Sequence, residues 1–369
     1  MKSSIANSNS LILGGREWLL VLGIFTVISL VVYNGFNRWE RIPVEPDFRS
    51  TCWEARMSDY YAYSQWANYA REHYKILLLG DSVIWGQEVP NNETISHFLN
   101  QQLGSEKVAN LGIDGLTLAA LDGILANYGS GFRDTNAIVE LNPLWMSSPK
   151  RDMREKGTFH HPRLVPQFDS RIKYFKDFNE RLGYVIEHHL KVPPFVRHLM
   201  VNYYDNKSVA NWLLESPYRN PLSAITFQGP PMMKEKQGLG TGWEGRIKNK
   251  DKFKPINDPF LQPEESVMFE HFIKALDKLK KNNVNAMILL GPYNTYNLTP
   301  ESKQKLFVMI GEIKKILDAR NVTYFDSTND LLPSDAYADQ CHALAVGHAQ
   351  LAEAMVKDPK VQQWLATVK

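Results

Sequence analysis

Cysteine is scarce in this chain: two residues, Cys52 and Cys341, in 369. Two thiols are too few for a disulfide framework, although a single Cys52–Cys341 bridge stays open in an oxidising compartment. Beside His342, Cys341 reads more simply as a packed thiol. A surplus of one charge is lacking as well. The formal net charge of +2 offers no field for a polyanion, so no nucleic-acid partner is expected. Walker motifs, paired-cysteine zinc spacings and the GxSxG elbow are all missing, which removes the common nucleotide, zinc and α/β-hydrolase readings. Gly240-Thr241-Gly242-Trp243-Glu244-Gly245 satisfies GxGxxG, yet it follows a lysine-rich loop where a dinucleotide site needs a strand. His160 and His161 are adjacent, and neighbouring side chains point apart in regular structure. With no carboxylate cluster beside them they belong on a surface or at the rim of a site. No cofactor and no metal is expected.

One long apolar run is present. Residues 18–36 (WLLVLGIFTVISLVVYNGF) carry no charge. As a helix they span about 28 Å, close to the hydrocarbon thickness of a bilayer. Trp18, Tyr33 and Trp39 stand near its ends, where amphipathic rings favour the headgroup region. No small-x-small cleavage site follows the run, so a membrane anchor is preferred to a cleaved signal peptide. A buried helix of a soluble domain is the plain alternative. Lys2 and Arg16 precede the run while Arg38 and Arg41 follow it, a balance that barely separates the two orientations. A short tail before the span and a large domain after it favour a single-pass topology with the domain on the periplasmic or extracellular side. The expected division is a tail at 1–17, a transmembrane helix at 18–36, a juxtamembrane connector at 37–74 and one large domain at 75–369.

From residue 75 the pattern alternates between strand and helix. Short, continuous apolar runs at 75–79, 107–111, 137–141, 285–290 and 322–326 have the character of strands buried on both faces. Helical patterns at 93–103, 116–128, 264–281, 300–319 and 347–356 separate them. In 264–281, Val267, Phe269, Phe272, Ile273, Leu276 and Leu279 fall mostly on one face, with lysines opposite. Such βαβ alternation predicts an α/β fold with a five-stranded parallel sheet covered by helices. Residues 147–263 break the rhythm. A structureless stretch of that length is unexpected in a compact domain, so it is read as a largely helical insertion after the third strand, with helices at 175–190 and 195–214.

Gly80-Asp81-Ser82-Val83 directly follows the first apolar strand. A serine on a glycine-initiated turn at the carboxyl end of a buried strand stands where open α/β sheets place their chemistry. Near the other end of the chain, Asp339 and His342 supply an acid and a base three residues apart, with Asp335 and His348 as competitors. His348 sits at the opening of a helix and is read as structural. Taken one at a time, the Gly-Asp-Ser turn could merely cap a helix, and Asn142 before Pro143 could be a turn residue. Asp114 lies near the site, but local backbone bonding is its simpler role.

In order and placement these residues resemble the SGNH (GDSL-type) hydrolase and acyltransferase superfamily. Gly80-Asp81-Ser82 matches its first block. Asn110-Leu111-Gly112-Ile113-Asp114-Gly115 matches its second, with Gly115 at the oxyanion glycine. Asn142 stands at the third, although the usual glycine and following aspartate are replaced by Glu140 and Pro143. Asp339 and His342 match the fourth. The resemblance implies an SGNH-type, flavodoxin-like three-layer α/β/α fold and a serine esterase or O-acyltransferase. Ser82, His342 and Asp339 would be the catalytic residues, with an oxyanion hole from the Ser82 and Gly115 N–H groups and the Asn142 amide. A neutral serine needs a base within reach. His342 can take the Ser82 proton and return it to the leaving group, while Asp339 holds the imidazole tautomer. Each oxyanion donor is worth roughly 10²–10³ in rate.

The anchor and the insertion favour an acylated carbohydrate or cell-envelope polysaccharide as substrate, with a membrane-bound acyl-donor protein as an expected partner. Trp145, Phe159, Trp212 and Trp243 would form a carbohydrate or acyl-chain surface, or else the insertion's own core. A tethered lipid or small-ester hydrolase is the second reading. A catalytically silent scaffold in an envelope polysaccharide assembly is the third, kept open by the departure around Asn142.

Overall fold

The computed structural model describes residues 13–42, 45–49, 56–157, 159–174, 177–190, 192–230 and 255–368. Cys52, Trp243, Lys2 and the whole Gly240–Gly245 motif lie outside the described residues. Helix α1 (Gly15–Trp39) begins before the apolar run and extends three residues past it. Its part Gly15–Phe36, 22 residues, is long and apolar enough to cross a membrane, and only 6% of its most apolar window is buried. Leu19, Phe25 and Val27 are each more than half exposed. Among the described side chains of α1, Phe36 is the buried one, its ring meeting Phe195 at a centroid distance of 5.1 Å.

Part of the segment read as a connector belongs to the folded core. Helix α2 (Tyr60–His73) starts at the Asp59 cap, which accepts the Ala62 N–H. It buries Trp66, Ala67 and Ala70 in the main hydrophobic cluster. Its aromatics also carry polar tips inward: Trp66 Nε1 donates to the Asn110 carbonyl (2.8 Å) and Tyr63 Oη to that of Leu111 (3.1 Å). Aromatic side chains with a polar handle can be buried wherever that handle finds a partner.

The strands fall where the apolar runs predict. In chain order, β1 (Ile76–Leu79), the one-turn helix α3 (Ser82–Trp85), α4 (Ile95–Gln102), β2 (Val108–Asn110), α5 (Leu118–Tyr128) and β3 (Asn136–Leu141) build the first half. The insertion helices α6 (Phe178–His189), α7 (Val192–Tyr203) and α8 (Val209–Glu215) follow. The second half adds α9 (Val267–Lys281), β4 (Asn285–Leu290), α10 (Pro300–Ala319), β5 (Thr323–Asp326), α11 (Ala345–Lys357) and α12 (Pro359–Thr367). The five strands form one sheet in the order β2-β1-β3-β4-β5, and every neighbouring pair is parallel. Side chains alternate between the faces of a strand. Leu77, Leu79, Ala109 and Val139 therefore join Trp66, Ile124 and Phe272 on one side. Ile76, Leu78, Val108 and Ile138 join Leu99, Leu351 and Trp364 on the other. Both faces are covered, which is why these strands lack polar alternation.

Three helix starts, expected at 93, 116 and 264, move inward to side-chain caps. Thr94, Thr117 and Ser266 accept the N–H groups of His97, Ala120 and Phe269. The insertion is less helical than expected: among its described residues only α6, α7 and α8 are α-helical, the rest being mostly turns and loops, and 195–214 is two helices rather than one. Asp205 and Asn206 adopt φ of 52° and 60°, and the Asn206 N–H returns to the Met200 carbonyl (2.8 Å). Asn and Asp tolerate this left-handed helix end better than most residues. Phe36, Tyr61, Phe195, Tyr203, Tyr204 and Trp212 form a small aromatic core joining α1, α2 and the insertion.

Candidate active site

The direction of winding reverses between β1 and β3 in the sheet order, and such switch points open a crevice beyond the carboxyl ends of the strands. Ser82 follows β1 there and Asn142 follows β3. The strand stops at Leu79 and Asp81 caps α3, its Oδ1 accepting the Val83 N–H (2.9 Å). That cap turns Ser82 toward the loop after β5. Ser82 Oγ stands 2.7 Å from His342 Nε2, and His342 Nδ1 stands 2.8 Å from Asp339 Oδ2.

The loop is folded around the Asp339 carboxylate. Its Oδ1 accepts the backbone N–H groups of Cys341 and His342, both at 3.0 Å. Asn294 donates from Nδ2 to the Asp339 carbonyl (3.2 Å) and from its backbone to that of Gln340 (2.7 Å). An ionised carboxylate only accepts, so Nδ1 of His342 carries a proton and Nε2 is left to accept from Ser82. Burial works against the Asp339 charge, but the His342 contact and the two N–H donors outweigh it and hold its pKa at about 2. Burial also disfavours an imidazolium at His342. The Cys341 sulfur and the Asp339 carboxylate act the other way, and the ring's pKa stands well above 6.5. Because burial pushes the Cys341 thiol up as well, it stays protonated near neutrality and Asp339 is the standing cause.

The competitors stand elsewhere. Asp335 is exposed on a short 3-10 turn, and His348 is 1% exposed within α11, its pKa pushed down to about 3 by burial.

The turn after β2 is sewn against the Gly80–Val83 turn. The Ile113 N–H donates to the Gly80 carbonyl (3.0 Å), and Asn110 Nδ2 donates to the Ile84 carbonyl (2.9 Å). A Cβ on Gly112 would stand 2.3 Å from the Trp85 backbone nitrogen, so only glycine permits this approach. Gly115 has φ +72°, and a Cβ there would meet His160 Cδ2 at 2.7 Å. The Asp114 carboxyl lies beside this turn. Burial raises its pKa against the fields of His160 and His342 and the Gly115 N–H.

Asn142 is 1% exposed and donates from Nδ2 to Asp81 Oδ2 (2.9 Å). Its Oδ1 accepts the Leu144 N–H (3.0 Å). One of its two amide hydrogens is thus engaged by the residue next to Ser82, and a second remains. Trp145 Nε1 donates to the same Asp81 oxygen at 2.7 Å. Pro143 opens a 3-10 turn, and in that helix residues three apart eclipse each other. Asn142 and Trp145 therefore reach Asp81 together.

Glu140, likewise buried, accepts the Asp81 N–H (3.0 Å). Burial and the Asp81 charge keep its pKa well above 4.5. The sequence reading missed Glu140 and Trp145 as supports of Asp81. The usable signal was the spacing of Trp145 from Asn142 after a helix-starting proline. Of the four aromatics offered as a surface, Trp145 and Trp212 are buried, Phe159 packs on the main core, and Trp243 is outside the described residues.

No protein-family model matches the chain, and no curated protein matches it. Asp339, Cys341 and His342 have their ligand atoms within 4.8 Å of one another, a ligand set that suits zinc. Binding there would break the Asp339–His342 hydrogen bond and require loss of the buried thiol's proton. Hydrogen-bonded as they are, Asp339, His342 and Ser82 make a chain along which a proton could pass.

Proposed function

We propose that the chain is an SGNH-type serine esterase or O-acyltransferase that carries an acyl group on Ser82. The observation that carries the reading is the continuous relay Ser82 Oγ, His342 Nε2 and Nδ1, Asp339 Oδ2, with steps of 2.7 and 2.8 Å. The strand order and the position of Ser82 at the switch point add support.

In the first half-reaction Ser82 Oγ attacks an ester carbonyl while its proton passes to His342 Nε2. The tetrahedral oxyanion is held by the N–H groups of Ser82 and Gly115 and by the remaining Asn142 amide hydrogen. Collapse breaks the ester C–O bond, and the alkoxide leaves with the proton from His342. In the second half-reaction His342 deprotonates an acceptor hydroxyl, which attacks the acyl-serine and frees Ser82. Water as acceptor makes an esterase; a sugar hydroxyl makes a transferase.

The apolar helix supports a membrane-held enzyme acting on envelope carbohydrate, with its domain on the extracytoplasmic side and a membrane acyl donor nearby. A fluorophosphonate label on the full-length protein in detergent, mapped by mass spectrometry, tests the core of this. Ser82 is the expected adduct site, and Ser82→Ala should abolish labelling with the fold intact. Equal labelling of that variant would sink the reading. Acyl transfer that oligosaccharide acceptors do not accelerate over water would leave the esterase alone.

A further inference from the structure

Two insertion histidines have no part in these steps, yet both stand at the turn that carries Gly115. His160 lies over the glycine. His161 is 3% exposed and bonded through both ring nitrogens. Nε2 is 2.7 Å from the Asp114 carbonyl oxygen, and Nδ1 is 2.9 Å from the Tyr60 hydroxyl. A carbonyl oxygen only accepts, so Nε2 carries the proton and Nδ1 accepts from Tyr60. Burial, which takes the ring's pKa down to about 4, keeps it neutral in this tautomer. The His161 backbone has φ 58°, a region that residues with a Cβ seldom occupy and that clusters at functional sites.

The Asp114 carbonyl and the Gly115 N–H belong to one planar trans peptide and point in opposite directions. Fixing the oxygen therefore fixes the hydrogen. We propose that His161 is a positioning residue that aims the Gly115 N–H at the oxyanion, with Tyr60 holding the imidazole as the donor tautomer. The proposal rests on the reading of Ser82 as nucleophile and Gly115 as oxyanion donor. The turn needs such a hold. Glycine in its second place allows the central peptide to flip, and a flip would reverse the direction of the N–H. The Asp114 carboxyl lies against the same N–H and competes with the oxyanion for it, so the aim of the peptide decides which acceptor it serves. Oxyanion donors act through being preorganised, so aim decides their value. The relay also unites α2 and the insertion in one role, since Tyr60 comes from the helix and His161 from the insertion.

The test uses the full-length protein in detergent micelles with two probes, a small alkyl fluorophosphonate and a short-chain p-nitrophenyl ester. His161→Leu removes the donor, His161→Asn keeps polarity but falls short of the Asp114 carbonyl, and His161→Gln places an amide N–H where Nε2 stood. Relative to the wild type, the Leu and Asn variants should lower kcat and the phosphonylation rate roughly 10- to 100-fold, with KM within about threefold. The Gln variant should recover most of the loss, and Tyr60→Phe should cost a few-fold through the tautomer. Thermal melting reports whether each variant is folded, and if the Leu variant is not, the Asn and Gln pair carries the comparison. Equal rates for folded Asn and Gln variants, or a change in KM alone, would overturn the positioning role while leaving Ser82 labelling intact. Failure of the wild type to label at Ser82 would instead bring down the nucleophile and this proposal with it.

Discussion

His198 offers the most quantitative perturbation away from the site. Both ring nitrogens face carboxylates at 2.8 Å: Nδ1 meets Asp59 Oδ2 and Nε2 meets Glu40 Oε1. The side chain is 0% exposed. Tyr203 Oη also bonds Glu40, and Asn202 Nδ2 bonds Asp59. Burial opposes the imidazolium, but Asp59 and then Glu40 outweigh it, and the pKa rises to about 9. Against an ordinary 6.5, at about 1.4 kcal/mol per pH unit, the charged ring stabilises the folded arrangement by about 3 kcal/mol. A raised folded-state pKa fixes the sign. The contribution is complete below about pH 6.5 and is lost as pH climbs through about 9.

The three partners join the chain just after α1, the cap of α2, and α7, so the effect should appear as opening of α7 against α1 and α2. Hydrogen exchange of α7 and thermal melting, followed from pH 6 to 10 in detergent, give the readout. His198→Gln should lose roughly 3 kcal/mol or more at pH 6, because two buried carboxylates then face a neutral partner. The gap between variant and wild type should narrow toward pH 10. A gap that stays constant across that range would refute the assignment of the charge to His198.

Three further outcomes concern the site. The acid limb of kcat/KM in the wild type should have its midpoint above 6.5, since Asp339 favours the protonated His342 and only the neutral ring accepts the Ser82 proton. Asp339→Asn removes that anion, so the limb should move to lower pH while kcat falls roughly a thousandfold or more. A limb that moves upward would contradict the role of Asp339. Gly115→Ala puts a Cβ 2.7 Å from His160 at φ +72°. The strained backbone costs about 1–2 kcal/mol, and phosphonylation of Ser82 should slow at least tenfold as the N–H loses its aim. An unchanged rate in a folded variant would remove Gly115 from the oxyanion hole.

Much of the scaffold was legible because burial writes itself into composition. Strands covered on both faces need unbroken apolar runs, and β4 and α10 occupy the expected residues, 285–290 and 300–319. Helix starts were less accurate, although Thr94, Thr117 and Ser266 were readable caps. The split at Asp205 and Asn206 was harder, since the apolar pattern runs through a turn that backbone conformation alone breaks. The packing of the connector was less legible. Tyr63 and Trp66 can be buried because Leu111 and Asn110 supply carbonyls for their polar tips, and no local pattern shows those partners.

At the site, sequence by itself determined which groups are available: a serine after a strand, an acid and a base three residues apart, two glycines and an asparagine in order. Covalent proximity explains this, since a turn or an i, i+3 pair is a local arrangement. Only the tertiary structure decided that Ser82 and His342, 260 residues apart, stand at hydrogen-bond distance. It alone turned Asn142 and Trp145 onto Asp81, chose Asp339 over Asp335, and set His161 between Tyr60 and the Asp114 carbonyl. Those contacts depend on how the sheet brings distant loops to one edge, and no local pattern in the chain encodes a distance across a fold.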